Sequence, residues 1–130
     1  MYHKIIIVGY TGKDPELRYM PDGKPVANMS VATDKRVPSG DQYVNSTIWF
    51  RVSVFGRTAE VVNQYAKKGT LVLVEGELIA DQKTGSPRVF TRSDGSAGAS
   101  FEMSAARVRI LNKPKTENGG VSNEDDETPF

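Results

Sequence analysis

Trp49, Arg51, Ser53 and Phe55 alternate along the chain with Ile48, Phe50, Val52 and Val54. Successive side chains of a strand point to opposite faces, so each set shares a face. The second set is wholly apolar and suits a core. The first places a guanidinium and a hydroxyl between two aromatic rings. Buried in a core, Arg51 would be an unpaired charge and strongly destabilising. Such a face suits a groove where flat bases stack on the rings while a cation meets phosphates. It also suits a covered surface, with Trp49 and Phe55 packed under a loop or a second subunit and Arg51 reaching out to water.

Other basic residues are placed where they could serve such a groove. Lys4 precedes the first apolar run, Arg18 adjoins Tyr19, and Arg57 lies two residues beyond Phe55. Lys68 closes a helical segment, while Arg88 and Arg92 bracket Phe90. Phe90 is either a second stacking platform or a small apolar anchor for its loop. Together these residues offer cations for a phosphate backbone and rings for bases.

No catalytic constellation accompanies them. The chain has no cysteine and one histidine, His3, which excludes a disulfide framework, a thiolate metal site and a His-based catalytic pair. Gly9-Tyr10-Thr11-Gly12-Lys13-Asp14 has two residues between its glycines where a phosphate loop needs four, and Asp where Ser or Thr must hold magnesium. Its glycines read as turn formers. Glu75 and Glu77 share a strand face but read as edge or ion-pair residues rather than as an acid–base pair. The expectation is a binding protein rather than an enzyme, with no metal and no cofactor.

The elements that must position these residues are mainly strands. Lys4–Val8 is a short apolar run. Pro21-Asp22-Gly23 is a turn joining Leu17–Tyr19 to Val26–Asp34, where Ala27, Met29, Val31 and Thr33 alternate with more polar neighbours. Residues 35–45, with Pro38-Ser39-Gly40-Asp41, read as a loop. After Phe55-Gly56 the period changes: Thr58 is placed to cap a helix through Lys68, with Ala59, Val62, Tyr65 and Ala66 along one side and Gly69 as the stop. Leu71–Leu78 is a central strand, residues 80–99 a long hairpin or loop, and Ser100–Leu111 a last strand. That strand changes parity between Met103 and Val108, so a bulge is expected near Ala105-Ala106. Three strands, a helix and two strands fit an all-β fold with one short helix, the OB-fold: a five-stranded Greek-key barrel whose strands 2–3 and adjoining loops bind oligonucleotides or oligosaccharides. The opening segment falls on its third strand.

At 130 residues the chain is one domain with a tail. No apolar run approaches the roughly 20 residues of a membrane helix. The N-terminus is too short for a signal peptide, which suggests a cytoplasmic protein. The net charge of +1 hides an asymmetry, since residues 1–111 hold 15 Lys/Arg against 11 Asp/Glu while residues 112–130 hold 2 Lys against 5 Asp/Glu. Residues 1–111 form the barrel domain. Residues 112–123, rich in Gly, Asn, Thr, Ser and Lys, read as a flexible linker. Residues 124–130 carry Glu124, Asp125, Asp126, Glu127, Thr128, Pro129 and Phe130. Asp125 and Asp126 lack the fixed geometry of a cation site. The tip reads as a docking element, with Phe130 entering an apolar pocket while basic residues hold the carboxylates.

With these residues in view, the chain resembles the bacterial-type single-stranded DNA-binding proteins along nearly all of Lys4–Leu111 and again at the tip. The matching stretches include Asp14-Pro15-Glu16-Leu17-Arg18-Tyr19-Met20-Pro21, Val26-Ala27-Asn28, Trp49-Phe50-Arg51-Val52, Phe55-Gly56, Ala59-Glu60-Val61 and Val74-Glu75-Gly76-Glu77-Leu78. The resemblance implies a nucleoid-associated homotetramer that coats single-stranded DNA in replication, recombination and repair, and whose acidic tip recruits other genome-maintenance proteins. It places Trp49 and Phe55 on base-stacking positions and Lys4, Arg18, Arg57 and Lys68 on backbone-approaching ones. The chain departs from the pattern at Val37 and Lys83, where the family carries stacking rings; Tyr43 and Phe90 are the nearest aromatic residues. Rival readings are an RNA-binding or primosome-type adaptor module of the same fold, and a nucleic-acid enzyme.

Overall fold

A computed structural model describes residues 1–112. Its elements are β1 (Ile5–Thr11), β2 (Glu16–Tyr19), β3 (Pro25–Ser39), β4 (Gln42–Phe55), α1 (Arg57–Tyr65), β5 (Leu71–Ile79), β6 (Val89–Thr91), β7 (Ala97–Ala99) and β8 (Phe101–Asn112). Five strands close a barrel in the order β1-β3-β4-β8-β5 and back to β1. Every neighbouring pair is antiparallel except β4 and β8, which run parallel. This is the expected OB-fold. β2 lies on the edge of β3 that β1 occupies further along. The linker beyond residue 112 and the tip with Asp125, Asp126, Glu127, Pro129 and Phe130 lie outside the described residues.

Alternation decides what fills the barrel. Ala27, Met29 and Val31 of β3, Phe50, Val52 and Val54 of β4, Val72 and Val74 of β5, and Met103 of β8 point inward and are buried. Fully burying a Val or Met side chain stabilises by roughly 1.5–3 kcal/mol, so this set holds the fold. α1 adds Ala59 and Val62, with Ala66 just beyond it.

Barrel closure depends on a close approach. β1 meets β3 through Tyr10↔Ala32 and Thr11↔Val31. A Cβ on Gly9 would overlap the Ala32 carbonyl oxygen and lie 3.0 Å from Val31 Cγ1. Gly9 lies within β1, and neither it nor Gly12 has a positive φ. The expected turn-forming role is thereby corrected for Gly9, which admits a neighbour within the strand, whereas Gly12 opens the bend that follows β1 without a positive φ.

Residues 35–45 are not a loop. β3 and β4 continue as one ladder from Val26↔Phe55 to Ser39↔Gln42, leaving only Gly40-Asp41 as the turn. Two-residue hairpin turns favour a positive first φ, and Gly40 has φ 65°. Pro38 sits where β3 has no neighbour on its other edge, a place where its missing N–H is tolerated. This arm outruns the barrel, which is why Ile48, on the core-facing parity, is exposed.

The helix differs from expectation at both ends. Gly56, at φ 71°, turns the chain from strand to helix in one residue and occupies the cap position without a side-chain bond, so Thr58 is not the cap. The helix ends at Tyr65 with Ala66 as its C-cap, the Ala66 N–H still donating to the Val62 carbonyl at 2.8 Å. The segment beyond it is tied to β1. Thr11 and Thr70 hydroxyls both donate to the Lys67 carbonyl at 2.6 Å, and the Thr70 N–H donates to Thr11 Oγ1 at 3.0 Å. Lys67 still serves the helix end, donating from Nζ to the Asn63 carbonyl at 2.9 Å. The bulge lies where expected: Glu75 faces Arg107 and Gly76 faces Ala105, leaving Ala106 as the extra residue. Residues 80–99 contain the β6–β7 hairpin.

Gly9→Ala is expected to destabilise the protein by about 1–3 kcal/mol through overpacking at the closure, measured by chemical denaturation. Unchanged stability would contradict the role given to this approach.

Candidate nucleic-acid interface

The outer face of the β3–β4 ladder is where the singled-out residues meet. Trp49, Arg51, Ser53 and Phe55 face out opposite Ala32, Ser30, Asn28 and Val26. Trp49 is 52% exposed and Phe55 46%. Ser53 Oγ donates to Asn28 Oδ1 at 3.2 Å, which fixes the row between Arg51 and Phe55. Both rings are thus open to solvent with the Arg51 guanidinium between them.

Trp49 has a prepared seat. A Cβ on Gly12 would lie 2.6 Å from the indole Cζ3, so the ring rests on bare backbone. Gly12 is itself held, its N–H donating to the Ser30 carbonyl at 2.9 Å. Nearby, the Lys68 N–H donates to Asp14 Oδ1 at 2.8 Å, tying the segment after α1 to the loop that carries Gly12.

At the other end, a groove of about 390 Å³ is lined by Arg18, Tyr19, Val26, Asn28, Ser53 and Phe55. Register explains the grouping: Arg18 pairs with Val26, and Val26 with Phe55. Arg57 opens α1 one residue past Gly56, next to this end of β4. Arg18 therefore shares the groove with Phe55, and Arg57 follows Phe55 by two residues. The Lys68 backbone is tied to the loop on which Trp49 rests.

Three expected cations are otherwise engaged or more distant. Lys4 precedes the end of β1 remote from β3 and pairs with Glu75 at 3.5 Å. Arg88 pairs at 3.0 Å with Glu102, the register neighbour of Arg51 across the parallel β4–β8 pair. Arg92 lies with its guanidinium carbon 5.7 Å from the Phe90 ring centre and donates to the Ala97 carbonyl. Phe90 is half-buried, and a Cβ on Gly98 would lie 2.9 Å from its Cε2. The ring thus packs within its own hairpin, whose turn is braced by Asp94. The Ser96 hydroxyl and N–H both donate to Asp94 Oδ1 and hold its carboxyl below the ordinary value of 3.8.

Sequence reasoning missed the distal part of the face. Tyr43 has the parity of Trp49 and is 61% exposed, with Arg36 5.7 Å from its ring centre. Val37 has the opposite parity, facing Val44 rather than the Trp49 side. The signal was present in the sequence, since Tyr43, Asn45 and Thr47 extend the alternation of Trp49 backwards, but the polar turn formers masked it.

These features define an OB-fold barrel with an aromatic and basic outer face. The chain belongs to the Single-strand binding protein family, whose pattern matches residues 2–111. It is 35% identical over 134 aligned residues to a single-stranded DNA-binding protein of Wolinella succinogenes, covering 99% of this chain and 78% of the relative. A single-stranded DNA-binding protein of Neisseria meningitidis is 33% identical over 124 residues, covering 95% and 67% respectively. The fold is similar to the crystal structure of a small single-stranded DNA-binding protein from Streptomyces coelicolor, with TM-score 0.68 and 21% identity, covering 83% of this chain and 93% of that one. It matches a Plasmodium falciparum SSB solved in complex with ssDNA at the same TM-score and identity, covering 86% and 97%. No helix among the described residues is long and apolar enough to cross a membrane.

Gly12→Ala is expected to push the indole off its seat and red-shift Trp49 emission while far-UV circular dichroism stays the same. An unchanged emission spectrum would contradict the seating of Trp49 on Gly12.

Proposed function

We propose that this chain binds single-stranded DNA along the outer face of β3 and β4, stacking bases on Trp49 and Phe55 while Arg51, Arg18, Arg57 and Lys68 meet phosphates. The observation that carries this is the pair of exposed rings flanking Arg51 on one strand of a barrel whose family is defined by single-strand binding. Stacking tolerates any base because every base has a flat face, so binding is broadly independent of sequence. Arg88, Arg92 and Phe90 supply a secondary contact surface on the β6–β7 hairpin, and Lys4 a peripheral one. The chain acts as a coat that protects single strands in replication, recombination and repair, at the nucleoid in the cytoplasm, and is a binding protein rather than an enzyme.

Self-assembly, as a homotetramer, is part of the same reading. Ile6, Val8 and Tyr10 form an exposed apolar row on β1, and β1 meets β3 only at Tyr10 and Thr11. A free strand edge beside an apolar row suits a second copy of the chain. The domain layout follows too: a binding barrel over residues 1–111, a linker over 112–123, and a tip over 124–130 that recruits genome-maintenance proteins through Asp125, Asp126, Glu127, Pro129 and Phe130.

The single tryptophan gives the test. Titration with oligo-dT is expected to quench Trp49 fluorescence strongly, whereas duplex DNA leaves it unchanged. The logarithm of affinity should fall with the logarithm of salt at a slope of about −0.7 per neutralised phosphate. A chain truncated before Glu124 should keep oligo-dT binding and lose binding to partner proteins. Quenching by single-stranded RNA in preference to DNA would favour the RNA-binding alternative, and equal binding to duplex would defeat the proposal.

A further inference from the structure

Asp34 is the one carboxylate on the outer face of the β3–β4 ladder, paired in register with Thr47 and one row from Ala32 and Trp49. Same-face rows lie about 6.6 Å apart along a strand, so a base resting on the indole can extend its edge over the Asp34–Thr47 row. Of the other acids near the face, two meet cations and a third, Asp14 of the Gly12 loop, accepts the Lys68 backbone N–H. Glu102, beside Arg51, meets Arg88 at 3.0 Å, and Glu16, beside Asn28, meets Lys13 at 4.0 Å. Asp34 forms no ion pair among the described residues. Its partner is the Thr47 hydroxyl, which donates to Oδ1 at 2.7 Å.

That bond orients the carboxylate and leaves most of its accepting capacity open, because two oxygens offer about four lone-pair sites. Asp34 is exposed, so core packing does not call for an acid there. An unmatched negative charge on a phosphate-binding face weakens backbone contacts, whereas base edges carry hydrogen-bond donors that it can accept. Among the bases, guanine alone presents two adjacent donors, N1–H and the 2-amino group, on its Watson–Crick edge. Thymine offers one N–H between two carbonyls that a carboxylate repels. Cytosine and adenine each offer one amino group beside an acceptor.

We propose that Asp34 is a specificity-determining residue that reads the base beside Trp49 and favours guanine. This rests on Trp49 being the stacking ring, and it adds a local preference to otherwise sequence-tolerant binding. A good two-bond pair between a side chain and a base discriminates by about fivefold or more.

The test uses the full chain and Trp49 quenching with three oligomers. One is oligo-dT, the second carries isolated guanines in place of some thymines, and the third carries hypoxanthine at those positions and so lacks only the 2-amino group. The native chain is expected to bind the guanine oligomer about fivefold more tightly than the hypoxanthine one. Asp34→Asn and Asp34→Ser should each remove most of that difference while oligo-dT affinity stays level or rises. A guanine preference that survives in both variants, or is missing from the native chain while oligo-dT still binds, overturns the role of Asp34 and leaves the stacking reading intact. Absence of quenching by all three oligomers overturns the stacking reading along with it.

Discussion

Closure of the barrel between β1 and β3 is the constraint on which the rest of the structure depends. It is made by two register pairs, Tyr10↔Ala32 and Thr11↔Val31, and is sterically open only because Gly9 has no side chain to strike the Ala32 carbonyl. Once the ring is closed, a strand residue has only an inside or an outside. Met29, Val31, Val52 and Val54 go in and leave the water, while Ala32, Trp49, Arg51 and Phe55 are left outside. The exposed rings are therefore not a lapse in packing. They are the other half of an alternation whose inner half is the core.

The same closure places the support for those rings. The end of β1 that meets β3 leads straight into Gly12, the seat of Trp49, and the Thr11–Thr70–Lys67 hydrogen bonds lock that end to the segment after α1. At the far end of β4, β2 uses the remaining edge of β3 to bring Arg18 beside Phe55. The barrel thus presents two exposed rings on one strand with Arg51 between them in sequence. Beyond the barrel the ladder continues as a free arm carrying Arg36 and Tyr43, which lengthens the face past Trp49.

Much of this was legible in the sequence where a period was unbroken. The alternation of Ile48–Phe55 is strict, and the parity change between Met103 and Val108 marked the bulge in β8. Residues 35–45 were misread because Pro38-Ser39-Gly40-Asp41 has the composition of a loop, while a two-residue turn needs only Gly40-Asp41 and leaves Pro38 and Ser39 in the strand. The helix start was misplaced because a glycine at positive φ replaced the side-chain cap that Thr58 suggested. Partners distant in sequence were not legible at all. Nothing local to Lys4 or Arg88 announces that Glu75 and Glu102 engage them, and nothing local to Gly12 announces the indole above it.

The central claim is that the outer face of β3 and β4 is the surface that takes a single strand. Backbone amide resonances of the ¹⁵N-labelled protein, recorded with and without oligo-dT, test it most directly. The largest shifts should fall on Ala32, Trp49, Arg51, Ser53 and Phe55 and on the Gly12 loop, with Ile6, Val8 and Tyr10 of β1 little affected. Shifts concentrated on β1 and β5, with the Trp49–Phe55 face unmoved, would contradict the account.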